Sequence, residues 1–356
     1  MPAIKGRGAP TNHTPTRFAL PTREADGDWL DAQEAIDGKV PRPSTSVTIE
    51  HPKTILTFNR SPDIAFDRSI NAYRGCEHGC IYCFARPSHA WHDLSPGLDF
   101  ETKLFAKPDA AKLLRAELAK PSYRVAPIAM GTNTDPYQPI EARYRITRAV
   151  LEVCLETRHP VCITTKSDRV IADCDLLREL AGRGLVAVTL SVTSLDPQLS
   201  RLLEPRAAAP AKRLAAIAAL TAAGVPVHVN VSPIIPAITE EFIEHILAEV
   251  AARGARSAGW ILLRLPHEVA PLFREWLAEH FPERADKVMH IVQSMRDGRD
   301  NDPRYFKRMK AEGVWAELIR ARFHKAAARM GLDRRYPRLD CGQFRPPERN
   351  GQMQLF

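Results

Sequence analysis

Six short apolar runs constrain this chain more than any other feature. They lie at residues 69–73, 125–130, 161–165, 185–192, 225–235 and 259–265, and are rich in β-branched side chains. Runs of this length, bounded by turn residues, read as strands. Helix-length patterns separate them. Residues 143–158 carry Ile146, Val150, Val153 and Cys154 on one face, and residues 170–183 carry Leu176, Leu177 and Leu180. The alanine-rich stretch 210–223 opens on Pro210 and stops at Gly224, and 240–253 closes at Gly254. Proline at the start and glycine just past the end are the expected helix boundaries. Strands alternating with helices imply a parallel sheet with right-handed crossovers. The expected fold class is α/β, a partial (β/α)6 barrel, with a doubly wound sheet as the alternative.

The flanks of this repeat differ from it. Eight of the 29 prolines lie at or before Pro62, so residues 1–60 are expected to be a flexible N-terminal arm, with a short helix at 28–36. Residues 61–297 form the core in this reading, 298–345 a helical C-terminal extension and 346–356 an exposed tail. A helix is expected at 311–330, with Val314, Trp315, Leu318, Ile319 and Phe323 as its apolar stripe. Residues 299–349 hold 14 Lys and Arg against 7 Asp and Glu, nearly the whole net charge of +8. Arg320, Arg322, Lys325 and Arg329 fall in that helix; they suit a nucleic-acid contact, or simply a solvated face. At 44% hydrophobic and 26% charged residues, wholesale disorder and a disulfide mini-scaffold are excluded. The longest stretch without Asp, Glu, Lys or Arg, 214–239, is broken by Gly224, Pro226, Pro233 and Pro236, so no membrane span is expected. The N-terminus lacks the apolar core of a secretory signal, which points to the cytoplasm.

The chemistry concentrates at Cys76-Glu-His-Gly-Cys80-Ile-Tyr-Cys83, directly after the first run. Three thiolates this close can converge on one metal centre. A four-iron four-sulfur cluster usually takes four cysteines, so three leave one iron open to an exogenous ligand. The competing reading is zinc, with His78 or the distant Cys341 as fourth ligand. Zinc sites usually pair two such cysteine units, and the chain has no second. Cys154, Cys162 and Cys174 fall in strand or helix patterns and read as small hydrophobes.

A Cx3Cx2C triplet with an aromatic before the third cysteine, at the end of the first strand of a β/α series, resembles the radical S-adenosylmethionine superfamily. The wider string from Arg68 to Ala90 is similar to an uncharacterised subgroup related to spore photoproduct lyase. The resemblance implies a four-iron four-sulfur cluster on Cys76, Cys80 and Cys83, and S-adenosylmethionine as cofactor on the open iron. It implies reductive cleavage to a 5′-deoxyadenosyl radical, hydrogen abstraction from a substrate, and a donor such as flavodoxin or ferredoxin. Nucleic acid is the leading substrate class; a peptide or small metabolite, or a non-catalytic redox-sensing or DNA-associated protein, are the alternatives.

In such barrels ligands bind at the carboxyl ends of the strands. Tyr82 and Phe84 flank the third cysteine and are placed beside adenine or cluster. After the second strand, Thr132, Thr134 and Asp135 stand where the superfamily often has a Gly-Gly-Glu run that accepts the cofactor's amino group. Lys166 ends the third strand and is a candidate partner for the methionyl carboxylate, with Arg206 a second. Ser191 and Thr193 share one face of the fourth strand, Ser191 matching a ribose-binding position, and the fifth strand offers backbone around Ser232. Spore photoproduct lyase uses a cysteine hydrogen donor near the second strand's end. Residues 131–137 contain none. Tyr137 is the obvious donor there, and Cys341 a more distant one. Finally, Gln352-Met353-Gln354-Leu355-Phe356 resembles the pentapeptide by which bacterial repair and replication proteins dock on the sliding clamp, with Gln352, Leu355 and Phe356 as anchors.

Overall fold

The computed structural model describes residues 6–15 and 44–348. The expected helix at 28–36 and the clamp-like tail, Gln352, Leu355 and Phe356 included, lie outside the described residues. Among the described residues there are ten strands: β1 (Ser46–Ile49), β2 (Leu56–Phe58), β3 (Arg68–Ile70), β4 (Tyr73–Arg74), β5 (Lys103–Ala106), β6 (Ile128–Met130), β7 (Val161–Thr165), β8 (Val186–Ser191), β9 (Val227–Ile234) and β10 (Ser257–Leu262). Seven form one sheet in the order β10-β9-β8-β7-β6-β3-β2. From β3 to β10 every pairing is parallel, with Val188 opposite Val227 and Ile163 opposite Val188, and β2 runs antiparallel to β3 at the edge. These six parallel strands are the six runs of the sequence, and the barrel is partial rather than closed.

The helices are α1 (Leu98–Thr102), α2 (Ala110–Leu118), α3 (Glu141–Tyr144), α4 (Ile146–Glu156), α5 (Cys174–Gly182), α6 (Pro197–Leu203), α7 (Pro210–Ala222), α8 (Ile243–Ala252), α9 (Val269–His280), α10 (Ala285–Ser294) and α11 (Val314–Arg329). Helix α7 begins with Pro210 and ends where Gly224, at φ +78°, lets Val225 N donate back to Leu220 O at 3.0 Å. Strand β8 is buried along its whole length, as expected of a central parallel strand covered on both faces. The core runs through Ile163, Val188, Leu190, Val229 and Val231 and the inward faces of α4, α5, α7 and α8.

Two features depart from the sequence reading. Residues 44–58, assigned there to the arm, are folded: β1 pairs parallel with β5, and β2 pairs antiparallel with β3. Residues 6–15 also pack on the core, because Glu101 accepts hydrogen bonds from Gly8 N at 3.0 Å and Ala9 N at 2.8 Å. Past residue 297 one helix forms, α11, and its buried stripe is shifted. Ala316, Ile319, Phe323, Ala326 and Ala327 face the barrel, while Val314 and Leu318 are exposed. Phe323 packs on Trp260 of β10 with ring centroids 5.9 Å apart, and Arg322 is paired with Glu244 at 2.8 Å rather than free. No helix among the described residues is long and apolar enough to cross a membrane.

This register predicts an asymmetry. Phe323→Ala should cost about 3–5 kcal/mol in denaturant unfolding, the range for truncating a buried aromatic. Val314→Ala and Leu318→Ala, at exposed positions, should stay within about 0.5 kcal/mol.

Candidate cysteine-loop site

The cysteine loop lies at the carboxyl end of the sheet, curled by two glycines in the left-handed region. Gly75 has φ +72° and Gly79 φ +67°. A Cβ on Gly75 would sit 2.7 Å from Phe100 O, and one on Gly79 2.8 Å from Glu101 Oε2, so neither position tolerates a side chain. Cys76 and Cys80 are buried and Cys83 is half-buried; all three are free thiols. Cys83 packs against the apolar clusters of both other cysteines. Burial pushes the Cys76 thiol up, and its two sister cysteines add to the shift.

The loop is held from three sides. Behind it, Arg86 and Glu101 are both fully buried and pair at 2.5 Å. Arg86 also donates to Cys80 O at 2.9 Å, Gly79 O at 3.2 Å, Pro96 O at 3.0 Å and Gly97 O at 2.9 Å. Beside it, Thr134 donates to Gly75 O at 2.6 Å, while Gln138 accepts from Glu77 N at 2.9 Å. On the third side, Arg206 pairs with Glu77 at 3.1 Å and its backbone N donates to His78 O at 3.2 Å.

Several sequence-predicted residues are thereby already engaged. Thr132 is hydrogen-bonded to Asn71. Asp135 is saturated: Oδ1 accepts from Thr165 at 2.7 Å and Tyr137 N at 2.8 Å, and Oδ2 from Lys166 N at 2.8 Å, with His78 at 3.3 Å. Burial alone would raise Asp135, yet His78 and these donors hold it down at about 2. With its lone pairs filled, Asp135 ties β6 to β7 and to the cysteine loop rather than standing open to an ammonium group. His78 turns its Nδ1 to Asp135 at 3.3 Å, which fixes the ring orientation. Arg206 is occupied by Glu77, and Phe84 is 54% exposed rather than packed in the site. Tyr137 is buried and donates to Asp173 at 3.0 Å, which removes it as a hydrogen donor to substrate. Cys341 is misplaced for that role too. Asp340 N donates to Gly184 O, ahead of β8, so Cys341 lies at the amino end of the sheet, opposite the cysteine loop.

A second group does converge on the loop. Glu204 accepts from the Tyr82 hydroxyl, from Thr193 at 2.6 Å and from the buried Arg213. Arg213 donates in turn to Ser191 O at 3.0 Å, and Ser232 O lies 2.9 Å from Thr193 Oγ1, sharing its single hydroxyl hydrogen with Glu204. This network fixes Tyr82 and the ends of β8 and β9. Burial opposes the Glu204 charge, but Arg213 and Lys166 hold its pKa at about 2. The Lys166 ammonium lies 5.8 Å from the Tyr82 ring centroid, with no carboxylate in salt-bridge reach among the described residues. Sequence reasoning missed Arg86, Glu101, Gln138 and Arg213. Arg213 was visible in principle, as a charge on the same helical face as Leu214, Ile217 and Leu220.

Among the described residues no three His, Cys, Asp or Glu side chains converge tightly enough to hold a single metal ion. A cubane takes one thiolate per iron and does not require that spacing. Three free thiols in a rigid loop fit such a cluster.

The radical SAM superfamily model matches residues 70–250. The chain belongs to the radical SAM superfamily. An uncharacterised protein of Mycobacterium tuberculosis is 39% identical over 240 residues, 66% of this chain and 71% of that protein. One from Methanocaldococcus jannaschii is 29% identical over 215 residues, 60% of this chain and 76% of that one. Among solved structures, a tyrosine-to-phenylalanine mutant of spore photoproduct lyase superposes with a TM-score of 0.58, covering 85% of this chain and 92% of its own at 14% identity. The shared element is the fold. This protein is therefore a radical SAM enzyme, of a superfamily that uses S-adenosylmethionine and an iron–sulfur cluster and draws on an external electron donor.

Two outcomes follow from the geometry. Arg86→Met leaves Glu101 buried without its cation, which costs about 3–5 kcal/mol, so both the melting temperature and anaerobic iron content should fall. Acid should also act through Glu204. Its folded-state pKa, about 2, is depressed below the ordinary 4.5, so its contribution is present above about pH 4.5 and lost as pH falls through about 2. Unfolding free energy measured from pH 5 to pH 2 should decline less steeply in Glu204→Gln than in the parent.

Proposed function

We propose that Cys76, Cys80 and Cys83 hold a four-iron four-sulfur cluster and that the enzyme abstracts hydrogen from a nucleic-acid or nucleotide substrate. The observation that carries the reading is the meeting, at one end of the barrel, of the three free thiols with a lysine that has no carboxylate in salt-bridge reach among the described residues. When bound, the cluster supplies the electron that cleaves S-adenosylmethionine reductively to its 5′-deoxyadenosyl radical. The protein's part is positioning and exclusion of water. Lys166, its ammonium unpaired, suits the methionyl carboxylate. Ser191 and Ser232, held by Arg213 and Thr193 at the ends of β8 and β9, suit the ribose and adenine. Tyr82 is locked by Glu204 as one wall, and Thr134 and Asp135 support the loop from beneath.

The substrate class is supported by the rim. Exposed Phe84, Tyr305 and Phe306 are interleaved with arginines, Arg264 lying 6.0 Å from the Phe84 ring centroid and Arg308 4.9 Å from that of Tyr305. Aromatic faces beside cations are what unpaired bases and their phosphates require. The exposed Lys325 and Arg329 of α11 add positive charge on the outer surface. We propose the C-terminal Gln352, Leu355 and Phe356 as a clamp-docking element that would bring the enzyme to DNA, and flavodoxin or ferredoxin as the electron donor.

Anaerobically reconstituted protein should hold about four iron per chain and form 5′-deoxyadenosine on reduction. Alanine at Cys76, Cys80 or Cys83 should abolish both. Lys166→Ala should keep the iron and weaken S-adenosylmethionine binding by about 1.5–3 kcal/mol, the value of one hydrogen bond to a charged group. A stoichiometric zinc site in oxygen-free protein, or full iron in the cysteine variants, would overturn the reading.

A further inference from the structure

Beyond β10, two arginines break the rule that buried polar groups find partners. Arg296 is 4% exposed, and its Nη2 donates to Leu263 O at 2.7 Å. Its Nε and Nη1 have no partner among the described residues, and neither does the buried Nε of Arg264. Arg264 Nη1 faces the Met309 sulfur at 3.1 Å, a weak acceptor. Both are burdened by burial and a neighbouring cation: burial and Arg264 bring Arg296 down to about 10, and burial and Arg308 lower Arg264. Asp302 and Asp63 offset this only in part, and each is hydrogen-bonded to another arginine. Asp302 is taken by Arg304 at 2.5 Å and Asp63 by Arg308 at 2.5 Å. Two adjacent cations left with unfilled N–H groups destabilise a fold, and such an arrangement is explained by an anion that is present when the site works.

The position says which molecule brings it. Leu263 N donates to Ile234 O at 3.0 Å, so both arginines stand at the carboxyl ends of β9 and β10, the same end as the cysteine loop. Arg264 lies against Phe84, the residue after Cys83. Lys166, the candidate for the cofactor's carboxylate, stands instead beside Tyr82. We propose that Arg264 and Arg296 form an oxyanion site that holds a phosphoryl or carboxylate group of the substrate beside the cysteine loop. The planar guanidinium fork suits either group. The site deepens the proposed function, on which it rests for the word substrate, but its oxyanion binding is measurable without turnover.

The test uses the full chain, reconstituted anaerobically, titrated calorimetrically with inorganic phosphate and separately with acetate. One or both should bind the parent, the tighter one naming the group as phosphoryl or carboxylate. Arg296→Gln and Arg264→Gln should each raise its Kd at least tenfold, with Arg296→Lys intermediate, while S-adenosylmethionine affinity and iron content stay unchanged. In anion-free buffer Arg296→Gln should melt no lower than the parent, because it removes an unpaired buried charge. If Arg296→Gln fails to fold, Arg264→Gln, at the half-exposed position, carries the comparison. Absence of binding by both anions to the parent, undiminished binding in the variants, or a loss of S-adenosylmethionine affinity in their place would overturn the site. Oxyanion binding in protein that forms no 5′-deoxyadenosine would uphold it and overturn the proposed function instead.

Discussion

The cysteine loop depends on the buried pair of Arg86 and Glu101. One guanidinium holds the carbonyls of Gly79, Cys80, Pro96 and Gly97, and one carboxylate holds that guanidinium and the backbone of Gly8 and Ala9. A buried ion pair is a weak source of net stability, because desolvation of both charges offsets their attraction. Its effect here is geometric. It fixes a loop with little regular structure of its own, so that the three thiols are presented by a preset backbone rather than gathered by the metal. Gly8 shows how closely the parts fit: a Cβ there would fall 1.7 Å from the Gly79 carbonyl oxygen.

The same device recurs around the site. Asp135 ties the loop after β6 to the start of the loop after β7, and Glu204 ties Tyr82 to β8 and α7 through Thr193 and Arg213. In each case a carboxylate kept charged in a buried setting bridges elements that are distant in sequence. Each holds a backbone or ring in place, and in each the charge is compensated on site, which is what keeps both carboxylates ionised despite burial.

Local features of the sequence carried the fold well. The six parallel strands were legible because each is a short, apolar, β-branched run, and helix ends were legible where Gly224 and Gly254 stop them. Strand β1 was not, since Ser46–Ile49 is four residues among prolines and becomes a strand only through its pairing with the distant β5. The stripe of α11 was read correctly at Trp315, Ile319 and Phe323 and wrongly at Val314 and Leu318, which are apolar but solvent-facing, while small alanines fill the remaining buried positions. The cysteine triplet was legible from spacing alone. Its supports were not: nothing local marks Glu101 as the partner of Arg86, and Asp135 looked like an open acceptor because Thr165, Lys166 and His78 reach it from elsewhere in the chain. Tyr137 and Cys341 were chosen as donors by residue type, while burial and the two ends of the sheet decide where they stand.

The balance of charge at the carboxyl end of the barrel then limits what can bind there. Glu77, Glu101, Asp135 and Glu204 are each compensated by cations or by several hydrogen-bond donors within the chain, so none is left to draw in a cationic group. The groups left over among the described residues include cations: Lys166 beside the Tyr82 ring, and Arg264, beside the Phe84 ring, with Arg296. A region with compensated acids and surplus bases attracts anions and holds them more strongly as water is excluded. In the proposed arrangement the two cationic points are separated, one meeting the carboxylate of the cofactor and the other an anionic group of the substrate. An uncharged substrate would leave Arg264 and Arg296 with buried N–H groups that lack partners among the described residues.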